Sequence, residues 1–444
     1  MEADGRPDER HQALTQEAPT SADTIFALSS GPPPAAIAVV RVSGPRAFDT
    51  LDRLAGQRPE LRRATLVDLI GDEGVLDRAL VLRFDGPNTA TGEDLVEYHL
   101  HGGRAVVAAV EKELRALEGV RAAEPGEFTR RAFANGRMDL TEVEGLADLL
   151  AAETEAQRRA AMLAAGGALS RKVQDWTARL LRLAAGVEAV LDFSDEGDVD
   201  EALPDAWEAE RQQLAAEITA LLARPPAERL RDGVRVVIAG PPNSGKSTLL
   251  NALVGREAAI TSPIAGTTRD LVEAPIALAG LPIILIDSAG LRDSDDEIEA
   301  IGVERAHRAM RAADLILWLG RPSDKPAGQC AIAVASKSDL GGGGEGAELA
   351  ISALTGAGID ALVERMVLEC RALLPAEGEA SVNARQRLAL GEGREHLASA
   401  GVHHDLLLVA EELRQARLAF DRVTGRAGVD DMLDALFGQF CIGK

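Results

Sequence analysis

Apolar positions change their period along the chain, and the changes divide it. From about Asp23 to Arg137, short apolar runs alternate with polar punctuation, which predicts an α/β region. Ala36–Gly44 and Arg78–Phe84 read as strands. Leu95–His101 alternates strictly and sets Glu97, His99 and His101 on one face, either a solvated strand face or a polar ligand pocket. Arg41 interrupts the first strand's apolar run, so it is an edge residue or a ligand contact. Val106, Val107, Val110 and Leu114 recur at helical spacing. Glu124–Leu140 reads as a loop, a short helix and a turn. From Thr141 to about Arg224 the helical period dominates, with Leu146, Leu149, Leu150, Leu180, Leu183, Val187, Val190 and Leu191 as its apolar stripes. Arg224-Pro-Pro punctuates it. Short buried-strand runs return at Val234–Ile238, Ile283–Ile286 and Cys330–Ala335. Helical stripes resume after Val382, through Leu388, Leu390, Leu397, Leu406–Val409, Leu413 and Leu418. The expected fold class is α/β plus α. It comprises a disordered extension (1–22), an N-terminal α/β domain (23–137), a helical domain in two parts (138–230 and 377–444) and a nucleotide-binding domain between them (231–376).

The run Val234–Ile238 leads through Gly240-Pro-Pro-Asn-Ser-Gly-Lys-Ser247 into a helix carrying Leu249, Leu250 and Leu253. This is G-x-x-x-x-G-K-S in the strand-to-helix context that its chemistry needs. Backbone N–H groups close around phosphate oxygens, and the helix N-terminus adds positive potential. Phosphates are therefore expected on Asn243, Ser244, Gly245, Lys246, Ser247 and Thr248, with Lys246 at the β- and γ-phosphates and the Ser247 hydroxyl on Mg²⁺. The next strand ends in Asp287-Ser-Ala-Gly290, a D-x-x-G that puts Asp287 near the Mg²⁺ shell and the Gly290 N–H near the γ-phosphate. Cys330–Ala335 runs into Ser336-Lys337-Ser338-Asp339, similar to the N-K-x-D element that reads guanine. Asp339 would accept from the ring N–H and exocyclic amine, which adenine cannot supply there. Ser352 and Ala353, in Ile351–Leu354, complete the base pocket. The order of these pieces points to GTP, and Lys337 with Asp339 disfavours an ATPase.

With 444 residues, two to three domains are expected. No apolar run approaches the ~18 residues of a membrane span, and the polar, acidic N-terminus is not a secretory signal. Cys330, Cys370 and Cys441 lack metal or disulfide spacing, which fits a cytoplasmic location. Cys441 stands fourth from the end, but Gly443 and Lys444 fit prenylation poorly, leaving a functional thiol or a packed terminus. A net charge of −23 argues against a large self-sufficient nucleic-acid surface.

Several segments carry a family resemblance: Asp23-Thr-Ile, Arg41–Gly44, Thr91–Asp94, His101–Gly103, Pro125–Phe128, Arg131-Ala-Phe, Gly266–Asp270 and the ending Phe440-Cys-Ile-Gly-Lys444. With them the chain resembles the MnmE/TrmE-type tRNA modification GTPases from about Asp23 to Lys444. The resemblance implies an N-terminal folate-binding and dimerisation domain, and a helical domain with an inserted Ras-like P-loop G domain. It implies a homodimer that works with a flavin-dependent MnmG/GidA-type partner on carbon 5 of the wobble uridine (position 34) of certain tRNAs. The one-carbon donor is 5-formyltetrahydrofolate or a related folate. It further implies K⁺ on Asn243, Ser262, Ile264 and Thr267, Thr268 beside Ser247 on Mg²⁺, and Glu299 as the catalytic residue that orients water. Folate would meet Arg41, Glu97, Arg137 and Lys444, with Cys441 nearby. Four departures stand out: only one glycine in Ser29–Pro34, Arg137 where Lys is usual, Ser336 where Asn or Thr is usual, and a very short segment between Leu315–Leu319 and Cys330, a trimmed part of the G domain away from the switches. A regulatory GTPase switch that recruits partners by nucleotide-dependent dimerisation is the alternative. It has no need of the folate residues.

Overall fold

The computed structural model describes residues 23–193, 203–256, 273–288, 308–341, 346–427, 436–438 and 440–443. These fall into two compact units. One runs to Val143 and takes in the C-terminal segment from Val429; the other runs from Glu144 to Gly428.

The first unit is built on a six-stranded sheet, β1 (Thr24–Leu28), β2 (Ile37–Ser43), β3 (Thr65–Gly71), β4 (Gly74–Phe84), β5 (Leu95–His101) and β6 (Val120–Ala122), in the order β3-β4-β5-β2-β1-β6. Only β1 and β6 pair in parallel. Helices α1 (Ala47–Leu54) and α2 (Arg104–Arg115) close one face over Val40, Val42, Val67, Val81, Val96 and Tyr98. On the other face, Phe128 of α3 (Glu127–Ala134) covers Ile25 and Ala27. Toward the β3–β4 edge that face is exposed among the described residues. Leu66, Leu80, His99 and Val39 lie opposite one another across four strands, with Leu66 53% and Leu80 45% exposed. β2 sits inside the sheet between β5 and β1, so Arg41 is not an edge residue.

The second unit has one core among its helices and one on each face of its sheet. α4 (Leu140–Ala151) leads into it and is followed by α5 (Glu155–Ala165), α6 (Ala168–Phe193), α7 (Asp205–Leu222) and the short α8 (Glu228–Asp232). A second six-stranded sheet then forms from β7 (Val234–Ala239), β8 (Glu273–Leu278), β9 (Leu281–Asp287), β10 (Leu315–Trp318), β11 (Ala331–Ala335) and β12 (Leu349–Ala350), ordered β12-β11-β10-β7-β9-β8. All its pairs are parallel except β8–β9. Buried on both faces, β7 and β9 read as continuous apolar runs, as central parallel strands do. α9 (Lys246–Arg256) and α10 (Ile359–Leu373) pack on this sheet. α11 (Ala384–Ala400) and α12 (Leu406–Thr424) then return to α6 and α7. Trp176, Leu180, Leu214, Ile218, Leu390, Leu397, Leu413 and Phe420 share one core there. Not every leucine in the predicted stripes belongs to it. Leu388 is 67% and Leu407 66% exposed. Among the described residues no helix is long and apolar enough to cross a membrane.

Candidate functional site

The parallel strands deliver β7 into the glycine-rich loop, and α9 starts at Lys246. Asn243 (φ 61°) and Gly245 (φ 91°) both take the left-handed conformation, which turns successive N–H groups inward to form an anion nest. Lys246 is buried, and its Nζ donates to the carbonyls of Gly240 (3.1 Å) and Pro241 (2.8 Å). The loop carbonyls thus hold the ammonium inside the nest. The Ser244 hydroxyl is buried and has no partner among the described residues, an orphan polar atom in the phosphate cradle. Ser247 Oγ donates to Asp287 Oδ2 at 2.5 Å. Those two hard oxygens, from α9 and the end of β9, make a donor set that fits Mg²⁺.

The Ser336–Asp339 loop is tied to the same cradle. Ser336 Oγ donates to the Ser244 carbonyl (2.6 Å), and Lys337 Nζ to the Asn243 carbonyl (2.7 Å). The hydroxyl at position 336 therefore fastens the base-reading loop to the phosphate loop, a tether that sequence alone does not announce. The Ser338 N–H donates to the Ile351 carbonyl (3.0 Å), which sets the Ser352-Ala353 turn beside it. Ser352 is 1% exposed and accepts from the Thr355 N–H. Asp339 stands exposed, with its carboxylate in no ion pair among the described residues. Asn243, Ser244, Gly245, Lys246, Ser247, Thr248, Asp287, Lys337, Asp339, Ser352 and Ala353 thus all lie on the C-terminal edge of this sheet or the loops that follow it. Ser262, Ile264, Thr267, Thr268, Gly290 and Glu299 lie outside the described residues.

A second polar group sits in the first unit. Arg41 and Glu97 are direct partners across β2 and β5, and Arg41 Nε and Nη2 donate to Glu97 Oε1 at 3.0 and 2.8 Å. The guanidinium also stands 5.9 Å from the centre of the Phe128 ring, a cation–π distance. His99 Nε2 lies 3.4 Å from Glu97 Oε2. His101 is tied instead to Asp77 through Nδ1 at 2.7 Å. Arg137 is exposed and makes no hydrogen bond to Arg41 or Glu97. Its Cγ lies where a Cβ on Gly92 would come within 3.2 Å.

The C-terminal segment folds onto this unit. Ser29 Oγ donates to the Gly443 carbonyl (2.9 Å), Pro125 bridges to Ile442, and Phe437 and Phe440 are buried. Gly443 has φ 96°, and a Cβ there would sit 2.3 Å from the Leu28 carbonyl, so only glycine fits. Gly126 is under the same constraint against the Phe437 carbonyl, also at 2.3 Å. Cys441 is exposed; Lys444 lies outside the described residues.

The first unit also holds a buried ionic scaffold that sequence patterning missed. The buried Arg131 guanidinium donates to Glu93 (3.1 Å), Glu127 (3.0 Å) and both the carboxylate and the carbonyl of Asp23. The motif segments Asp23-Thr-Ile, Thr91–Asp94 and Pro125–Phe128 meet at this one arginine. Burial works to raise the Glu127 carboxyl. Hydrogen bonds from Arg121, the Glu124 N–H and Arg131 outweigh it and hold the group below the usual carboxylate range.

A phosphate nest, a lysine inside it, a Ser–Asp oxygen pair and a base-reading loop on one sheet edge define a P-loop GTPase. Two family models cover the chain: the GTP-binding protein TrmE N-terminus over residues 24–137 and the MnmE helical domain over residues 140–441. The tRNA modification GTPase MnmE of Rhizorhabdus wittichii is 58% identical over 96% of this chain and 97% of its own length. That of Erythrobacter litoralis is 57% identical over 95% and 100%. The G domain of the T. maritima FeoB iron transporter aligns at 23% identity over 31% of this chain and 98% of its own, with a TM-score of 0.21. The chain belongs to the MnmE family of tRNA modification GTPases.

Proposed function

We propose that this GTPase is K⁺-activated and acts with a flavin-dependent MnmG/GidA-type partner. Together they modify carbon 5 of the wobble uridine, using a folate-bound one-carbon unit. The observation that carries this is the C-terminal fold-back. It seats Phe440–Gly443 on the same unit that holds the Arg41–Glu97 pair, as a folate pocket built from both chain ends requires. A guanidinium can grip a folate carboxylate bidentately, and Glu97 can accept from the pterin amine. Calorimetry with 5-formyltetrahydrofolate is expected to show one site per chain. Arg41→Ala is expected to weaken it about 100-fold, by losing two charge-assisted hydrogen bonds. No heat with the wild-type protein would remove folate from the proposal. Arg137, Lys444 and the nearby Cys441 belong to the proposed pocket.

In the nucleotide site, Mg²⁺ on Ser247 and Thr268 and K⁺ on Asn243, Ser262, Ile264 and Thr267 supply positive charge to the phosphates. Lys246 and the nest N–H groups orient the phosphates, Asp339 holds guanine, and Glu299 positions the attacking water. GTP turnover is expected to be at least about ten-fold faster in KCl than in NaCl at equal ionic strength, and Glu299→Ala to lose that turnover. Equal rates in the two salts would leave the regulatory switch as the better reading. Homodimerisation fits the open sheet face, where Leu66, Leu80 and Ile37 lack cover. The division at 231–376, as a G domain inserted in the helical domain, is supported by the core that α6 and α7 share with α11 and α12. The proposed place of action is the cytoplasm.

A further inference from the structure

β7 and β9 are paired in parallel from Val234↔Ile283 to Ile238↔Asp287, so backbone hydrogen bonds tie them along their length. Their C-terminal ends carry the phosphate loop and Asp287. Their N-terminal ends lie about 20 Å away, at ~3.3 Å per residue; the β9 end meets α5 directly, and the β7 end is reached through α8, which runs into it. The Ala156 N–H donates to the carbonyl of Gly280, in the turn that opens β9 (3.4 Å). Gln157 Nε2 donates to the carbonyl of Arg231, in the last turn of α8 just before β7 (2.9 Å). Gln157 does double duty. Its Oε1 closes the capping box of α5 by accepting from the Thr154 N–H (2.9 Å) while the Thr154 hydroxyl accepts from the Gln157 N–H. Beside this contact lies a cavity of about 350 Å³, lined by Ala156, Ala160, Leu163, Leu230, Leu281 and Leu374. The joint is therefore held by the Ala156 and Gln157 hydrogen bonds, by Arg159 Nη1 on Glu377 (3.2 Å) and by Ala156 and Ala160 packing on the sheet core, with the cavity leaving part of it unfilled. α5 continues through Gly166 and Gly167 into α6, the longest described helix and a wall of the helical core.

We propose that Gln157 is a positioning residue that couples the nucleotide site to the helical core. Through its bond to Arg231, a shift of the β7–β9 pair swings α5, with the cavity giving α5 room to move. This rests on the chain's being a tRNA modification GTPase, and on no detail of the donor or partner.

Gln157→Glu separates coupling from structure. A glutamate at this position still closes the capping box, but it has no N–H for Arg231. The full-length variant is produced in a strain deleted for its own tRNA modification GTPase. Modified nucleoside in tRNA, GTP turnover and Tm are then measured. Modified nucleoside formed per GTP hydrolysed is expected to fall at least about five-fold, the lower end of ordinary coupling, with GTP turnover and Tm unchanged. Ala160→Leu, which fills the cavity, is expected to raise Tm and lower the same ratio, a combination that a merely structural role does not produce. An unchanged ratio in Gln157→Glu would overturn the proposal. So would a loss of turnover or of Tm in step with modification. Failure of the wild-type gene to restore the nucleoside would instead strike at tRNA modification itself.

Discussion

Lys246→Ala is expected to weaken GTP and GDP binding about 1,000-fold while leaving the empty protein folded. The Nζ sits inside the phosphate loop, held by the Gly240 and Pro241 carbonyls. Bound nucleotide replaces those contacts with charge-assisted bonds to phosphate oxygens, worth about 1.5–3 kcal/mol each. Two such bonds amount to about 3–6 kcal/mol, or two to four decades in Kd. The empty loop loses far less, because two neutral carbonyls can turn to the water that the missing side chain admits. The check is fluorescence titration with a labelled guanine nucleotide, paired with thermal melts. Wild-type protein at about 100 times its Kd of nucleotide gains ~2.7 kcal/mol of apparent stability, and the variant gains none. Retained affinity in Lys246→Ala would mean that the nest N–H groups alone carry the phosphate.

The phosphate loop was legible because its chemistry is local: strand, turn, lysine and helix follow within one short stretch. The base-reading loop was legible as a motif, but the role of Ser336 was not. Its hydroxyl acts on Ser244, 92 positions away in sequence. The strands β1 and β3 escaped the pattern for opposite reasons. β1 is buried along nearly its whole length and shows no alternation, whereas β3 puts apolar Leu66 and Ile70 on the outward face. Leu388 and Leu390 could not both face one core, and the structure buries Leu390 alone. Gln157 carried half a signal, since Thr154-x-x-Gln157 is a capping box, but nothing local points to Arg231. Arg131 looked like part of a motif. Its role as the meeting point of three distant segments exists only once they are folded together.

That meeting point sets the last expectation. Arg131→Ala should destabilise the first unit by about 3–5 kcal/mol, the range for removing one partner from a buried ionic group. The side chain is 7% exposed, and Glu93 and Glu127 beside it are each only 10% exposed. Glu93 would keep the Ser43 hydroxyl but lose its cation. Glu127 would keep Arg121 and the Glu124 N–H. Asp23 would keep Arg121 but lose both bonds from Arg131 at the start of β1. In a unit of this size the loss corresponds to a fall in melting temperature on the order of 10 °C at pH 7. The pH dependence has a definite sign. Glu127 is held below its ordinary value of 4.5, so its ionised form stabilises the fold above that pH. That contribution disappears as the pH falls through the lower folded value and the group takes up a proton. Wild-type stability should therefore hold from pH 7 to about 5 and decline in more acid solution. The gap between wild type and Arg131→Ala should narrow over the same acid range, because a protonated Glu127 no longer needs the guanidinium. Thermal melts at pH 7 and pH 4 distinguish the outcomes. A constant gap across that range would show that Arg131 acts through packing and neutral hydrogen bonds rather than through charge.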